Sequence, residues 1–146
     1  MNKVRTTARQ LLSDYVELPV VSVLAKLGIS PNAITMAGLI GAGISAYIIA
    51  TGNLWAGGIV MLVAGVLDLF DGALARATGR ASRFGALLDS VVDRLSEIVL
   101  LLGLLIFYLN GSSSNGVILV YLAVTTSVMV SYLRARSEGL GIENRG

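Results

Sequence analysis

Residues 27–67 contain no charged side chain, and neither do residues 98–133. A helix that crosses the roughly 30 Å hydrocarbon core of a bilayer needs about 20 apolar residues at about 1.5 Å each. Each uncharged stretch is too long for one crossing and long enough for two. Each also breaks near its middle, the first at Thr51-Gly52-Asn53 and the second from Asn110 to Gly116, in Gly, Asn and Ser runs that favour turns. The pattern predicts four membrane helices over residues 31–51, 54–78, 83–109 and 116–136, in two hairpins. The expected fold class is an all-α, polytopic membrane helical bundle. Composition agrees, with 55% hydrophobic and 14% charged residues against about 25% charged in soluble domains. A soluble globular domain is excluded, and so is a disordered chain, which is poor in apolar residues. The first apolar stretch starts too late and runs too long for a cleavable signal peptide.

The basic residues set the orientation. The two hairpin turns carry no Lys or Arg. Lys3, Arg5, Arg9 and Lys26 precede the first span, Arg76, Arg80 and Arg83 flank the central connection, and Arg134, Arg136 and Arg145 follow the fourth. Positive-inside counting places all three groups in the cytoplasm. Residues 1–29 form an expected interfacial segment, or alternatively a plain cytoplasmic lead-in helix, ahead of one membrane domain at 30–146, with no internal repeat. In that segment Val20, Val23, Leu24 and Leu27 share a helical face, Lys3, Arg5 and Arg9 suit anionic headgroups, and Pro19 is expected to break a helix.

The chemistry is confined to few residue types. There is no His and no Cys, so disulfides, a thiol nucleophile and a His or Cys zinc site are excluded. Any general base is Asp, Glu, Lys or Tyr, and any metal is held by oxygen, which favours Mg²⁺, Mn²⁺ or Ca²⁺. A net charge of +2 gives no sign of a nucleic-acid partner.

The central connection reads DLFDGALARATGRASRFGALLDSVVD from Asp68 to Asp93. Asp68, Asp71, Gly72, Ala75 and Arg76 form one stripe at the end of the second predicted helix, and Gly85, Asp89 and Asp93 form another on the third. Two helices joined by a short connection run antiparallel, so the stripes can face each other. Four carboxylates then converge near the membrane edge. Burying them alone costs several kcal/mol each, roughly. Divalent cations relieve this, and carboxylates from two helices suit Mg²⁺ or Mn²⁺. Gly72, Ala75 and Gly85 lack bulk, which lets a helix or ligand approach closely, and Arg76 offers a planar fork for phosphate. The plainer alternatives are aspartates paired with Arg76 or Arg94 for structure alone, small residues that only pack, and Arg80 and Arg83 as topology signals. Ser30 and Pro31 suit the cap and first position of a helix, which leaves the N–H groups of Asn32, Ala33 and Ile34 facing the cytoplasm.

The segment fits D-x2-D-G-x2-A-R-x8-G-x3-D-x3-D without a mismatch. This resembles the signature of the CDP-alcohol phosphatidyltransferase family, membrane enzymes of phospholipid synthesis. The resemblance implies transfer of a phosphatidyl group, or an archaeal ether-lipid analogue, from a CDP-diacylglycerol-type donor to an alcohol, with release of CMP. It implies that Asp68, Asp71, Asp89 and Asp93 hold a pair of Mg²⁺ or Mn²⁺ ions, with Asp93 also the catalytic base. It places the donor on Gly72, Arg76 and Ser82, and on Pro31, Asn32, Ala33 and Ile34. It further implies a homodimer and a site facing the cytoplasm, in the cell membrane. Residues 132–139, YLRARSEG, resemble the Y-x-[KR]-A-R-x-E-G run of members that accept inositol phosphate, with Arg134 and Arg136 as acceptor contacts. Glycerol 3-phosphate is the alternative acceptor. Outside the family, the alternatives are a cation or proton transporter, since intramembrane carboxylates often line ion paths, and a non-catalytic scaffold. Family members usually have six membrane helices, so the sequence reads as cut after the fourth, with part of the acceptor pocket missing.

Overall fold

The computed structural model describes residues 18–142, which form five helices. They are α1 (Leu18–Lys26), α2 (Pro31–Ala50), α3 (Leu54–Ala77), α4 (Arg83–Asn110) and α5 (Ser114–Gly139). The four long helices start where the sequence offers a cap. Ser30, Asn53, Ser82 and Ser113 each accept the N–H three residues on, from Ala33, Ala56, Gly85 and Gly116. Gly52, at φ +102°, turns the chain between α2 and α3. The expected bounds hold to within three residues. The expected roles of Lys3, Arg5, Arg9 and Arg145 lie outside the described residues.

The packing has one unexpected feature. α2 packs along both α3 and α4, and α4 packs on α5, but α3 and α4 do not pack along each other. The facing stripes therefore look across a gap with α2 at its back. Small residues on α2 allow this double contact. A Cβ on Gly41 would stand 2.7 Å from the Ala64 Cβ of α3, and a Cβ on Gly103 of α4 would stand 2.4 Å from the Ala46 carbonyl oxygen. Ser45 is fully buried between helices and donates to the Gly57 carbonyl at 2.7 Å.

α2, α3 and α5 are long and apolar enough to cross a membrane. The 28-residue α4 is longer than any of them, but it carries Arg83, Asp89, Asp93, Arg94 and Glu97 in its first four turns and is uncharged from Ile98 onward. Its composition departs from a plain span because the site is built there. Trp55, Leu62, Leu69, Leu119 and Tyr121 are all exposed, a surface that suits lipid and not water.

Pro19 is the second residue of α1, where its missing N–H costs nothing, and the expected break ahead of it falls on residues outside those described. The predicted apolar face is split. Val21 is buried, and Val20 and Leu24 pack beside it onto Ile34, Phe70, Ala73 and Leu74. Val23 and Leu27 stay exposed, because α1 meets α3 along one narrow edge.

Candidate active site

The last two turns of α3 divide their side chains between two environments. Phe70, Ala73 and Leu74 turn into the core with α1 and Ile34, which aims Asp71, Gly72, Ala75 and Arg76 at the gap. Asp89 and Asp93 approach from α4. The carboxylates of Asp68, Asp71 and Asp89 offer oxygens that all lie within 4.8 Å of one another. Asp93 stands outside this triad, beside Asp68.

Two hollows share the four aspartates. A cleft of about 260 Å³ has Asp71 and Asp89 in its wall, with Gly72, Ala75, Arg76 and Ser82. A second, of about 380 Å³, has Asp68 and Asp93, with Gly38 and Gly65. Glycines keep both open. A Cβ on Gly72 would stand 3.4 Å from Arg76 Nη1, and one on Gly38 would stand 3.4 Å from Asp68 Oδ1. A Cβ on Gly85 would lie 3.1 Å from Ser82 Oγ and 3.7 Å from Asn32 Oδ1, so the starts of α2 and α4 meet at the cleft.

Asp71 is only 8% exposed. Its Oδ2 accepts from the Thr35 hydroxyl at 2.6 Å. Among the described residues none of the four aspartates has a Lys or Arg nitrogen within 4.0 Å. Arg94 instead pairs with Glu97 and donates to Ser127 of α5 at 3.0 Å. Purely structural pairing therefore does not explain the cluster. Clustered carboxylates without cationic partners, in a chain without His or Cys, fit a hard divalent ion such as Mg²⁺ or Mn²⁺.

Of the expected donor contacts, Pro31, Asn32, Gly72, Arg76 and Ser82 line the cleft. Ala33 and Ile34 do not. The Ala33 N–H is taken by Ser30, through its hydroxyl at 3.2 Å and its carbonyl at 3.0 Å, and Ile34 packs in the core. Arg134 and Arg136 are exposed at the end of α5 and line neither hollow. Because α5 runs antiparallel to α4, they do lie on the same side as Asp89. Thr35, Gly38 and Arg80 were not expected in the site. For the first two a signal existed: Pro31, Thr35 and Gly38 fall at i, i+4 and i+7 on one face of α2.

Residues 28–141 match the model of the CDP-alcohol phosphatidyltransferase family. The chain belongs to that family. The CDP-alcohol phosphatidyltransferases are membrane transferases of phospholipid synthesis, as the Asp68 to Asp93 pattern led one to expect, and the transporter reading has no support from them. An archaetidylinositol phosphate synthase from Pyrococcus horikoshii is 37% identical over 100% of this chain and 76% of its own. A phosphatidylinositol phosphate synthase from Mycolicibacterium smegmatis is 35% identical over 90% of this chain and 61% of its own. Among solved structures, Mycobacterium tuberculosis phosphatidylinositol phosphate synthase with CDP-DAG bound superposes with a TM-score of 0.83 at 31% identity, covering 90% of this chain and 67% of that one. The same synthase in complex with manganese and citrate gives a TM-score of 0.81 at 31% identity, covering 90% and 64%.

Proposed function

We propose that this chain transfers the phosphatidyl-type group of a CDP-linked lipid to inositol phosphate, releasing CMP. The observation that carries the reading is the Asp68, Asp71 and Asp89 triad, of which Asp71 and Asp89 line the cleft that also presents Arg76. In this reading Pro31, Asn32, Gly72, Arg76 and Ser82 hold the nucleotide and diphosphate. Arg76 lies back over Gly72, which keeps its guanidinium close to the level of Asp71. Asp68, Asp71, Asp89 and Asp93 would hold Mg²⁺ or Mn²⁺, which when bound neutralises the diphosphate and eases departure of CMP. A relative that binds manganese, and another copy of it with CDP-DAG, support both parts.

The acceptor hydroxyl oxygen bonds to the lipid-bearing phosphorus as the bond from that phosphorus to the CMP oxygen breaks. The hydroxyl proton passes to Asp93, which lines the second hollow and lies outside the triad. Inositol phosphate is favoured because relatives at 35% and 37% identity are synthases of inositol phosphate lipids. Arg134 and Arg136 supply the charge that a phosphorylated acceptor needs. We place the site on the cytoplasmic face of the cell membrane, where these basic residues collect, and expect a homodimer.

The test is CMP release by the chain in liposomes, with CDP-diacylglycerol, Mn²⁺ and either inositol phosphate or glycerol 3-phosphate. Release that depends on inositol phosphate supports the reading. Release with glycerol 3-phosphate alone overturns the acceptor, and no donor binding overturns the whole.

A further inference from the structure

From the sequence, Arg80 reads only as one of the basic residues that set topology. The structure gives it a fixed place. α3 ends in a Schellman turn in which Gly79 takes φ +65°. The Gly79 N–H points to the Arg76 carbonyl at 3.3 Å, and the Arg80 N–H to the Ala75 carbonyl at 2.9 Å. The Thr78 hydroxyl donates to the Leu74 carbonyl at 2.7 Å and tightens the same turn. Two residues beyond Arg80, Ser82 caps α4 by accepting the Gly85 N–H at 2.9 Å. Arg80 is thus pinned between two closed helix ends, and it lines the cleft with Arg76, Ser82 and Asp89.

The two guanidiniums of the cleft occupy different places. Arg76 folds back along its own helix over Gly72. Arg80 sits on the connection and is exposed. Among the described residues neither has a carboxylate oxygen within 4.0 Å. Guanidiniums without a carboxylate, on the wall of a cleft, are suited to phosphate oxygens. Arg83 is also exposed but does not line the cleft, so the connection is not uniformly basic toward it. A diphosphate presents two phosphate groups in series, and two guanidiniums at separate points match it.

We propose that Arg80 is a second phosphate-binding residue for the CDP-linked donor, holding the diphosphate at the connection while Arg76 holds it nearer the aspartates. The proposal rests on the donor reading above. The experiment measures binding of CDP, cytidine and CDP-diacylglycerol to the full chain in lipid nanodiscs with Mn²⁺. Arg80→Ala should weaken CDP and CDP-diacylglycerol by roughly ten- to a hundredfold, the range for a lost hydrogen bond to a charged group. Cytidine, which has no phosphate, should bind as before. Arg80→Lys should recover part of the loss, since it keeps the charge without the fork. Arg83→Ala removes the same charge from the same connection and should stay within about twofold of the parent chain.

Unchanged CDP affinity in Arg80→Ala overturns the proposal. So does an equal loss in Arg83→Ala, which indicates a general field, or an equal loss for cytidine, which indicates a disturbed connection. A parent chain that fails to bind CDP-diacylglycerol overturns the donor reading and Arg80 with it. A parent that binds, with an Arg80→Ala variant that binds equally well, overturns the Arg80 proposal alone.

Discussion

The Thr35 hydroxyl lies 2.6 Å from Asp71 Oδ2 and ties α2 to α3 at the depth of the carboxylate cluster. The hydroxyl has one proton and two acceptors in reach, the other being the Pro31 carbonyl at 3.2 Å. The shorter contact, to the charged group, takes it. That bond fixes which oxygen of Asp71 is left for a cation. Thr35→Val, nearly the same shape without the donor, should lower Mn²⁺ affinity roughly 10- to 100-fold, the usual effect of losing a partner that orients a ligand. Thr35→Ser should retain most of it. The Mn²⁺ concentration that gives half-maximal CMP release measures both, and equal values for Val and Ser would remove Thr35 from this role.

Removal of the metal should stop the reaction outright. The triad has no cationic partner among the described residues, so the site depends on a bound ion to gather a negatively charged donor. Excess EDTA should abolish CMP release, and added Mn²⁺ should restore it. Asp71→Asn keeps the Thr35 contact available but loses a charge, and should require more Mn²⁺. Full activity in EDTA would contradict the assignment of the triad.

Much of this arrangement was legible in the sequence, for physical reasons. Charge is so costly within a bilayer that the uncharged stretches mark the helices to within a few residues. The aspartates stand out because carboxylates at helical spacing in such a chain need a reason. What the pattern could not show is the wedge. The stripes on α3 and α4 face each other as expected, but across a gap, with α2 packed along both helices behind it. That depends on which small residues meet, Gly41 with Ala64 and Gly103 with Ala46, and many glycines in the chain make no such contact. The place of Arg80 was equally hidden, because it is set by the left-handed turn at Gly79 and not by a period.

The wedge gives a stability prediction. A Cβ on Gly103 would stand 2.4 Å from the Ala46 carbonyl oxygen and 2.6 Å from its Cα, both backbone atoms that cannot rotate away. Gly103→Ala must therefore push α4 from α2. Such overpacking costs about 1–3 kcal/mol, and a lower thermal unfolding temperature in detergent should report it. Gly58→Ala, on an open face of α3 with nothing within 4 Å, is the control and should leave it nearly unchanged.

Arg134 and Arg136 give an acceptor prediction. They end α5 on the side of Asp89 yet line neither hollow among the described residues. If Arg134 holds the acceptor phosphate, Arg134→Ala should raise the acceptor KM roughly tenfold or more and leave the donor KM nearly unchanged. Arg134→Lys should recover part of the loss. Unchanged kinetics with altered membrane insertion would identify a topology anchor instead.

Asp93 and Asp71 should separate kinetically because the structure separates them. Asp71 is buried within the triad, while Asp93 is exposed and lines the second hollow beside Asp68. A proton acceptor must reach the attacking hydroxyl, and a group on a different hollow from the Arg76 cleft is placed to do so without displacing the donor. Asp93→Asn is nearly isosteric and cannot take the proton. It should lower kcat by roughly 10²–10⁴-fold, the usual loss for a general base, with donor affinity close to that of the parent. Asp71→Asn should do the reverse at limiting Mn²⁺, weakening metal and donor together and recovering as Mn²⁺ is raised. Saturating Mn²⁺ should rescue Asp71→Asn in part and Asp93→Asn hardly at all. Rescue of both to the same degree would make Asp93 a metal ligand only, and the proton would need another acceptor.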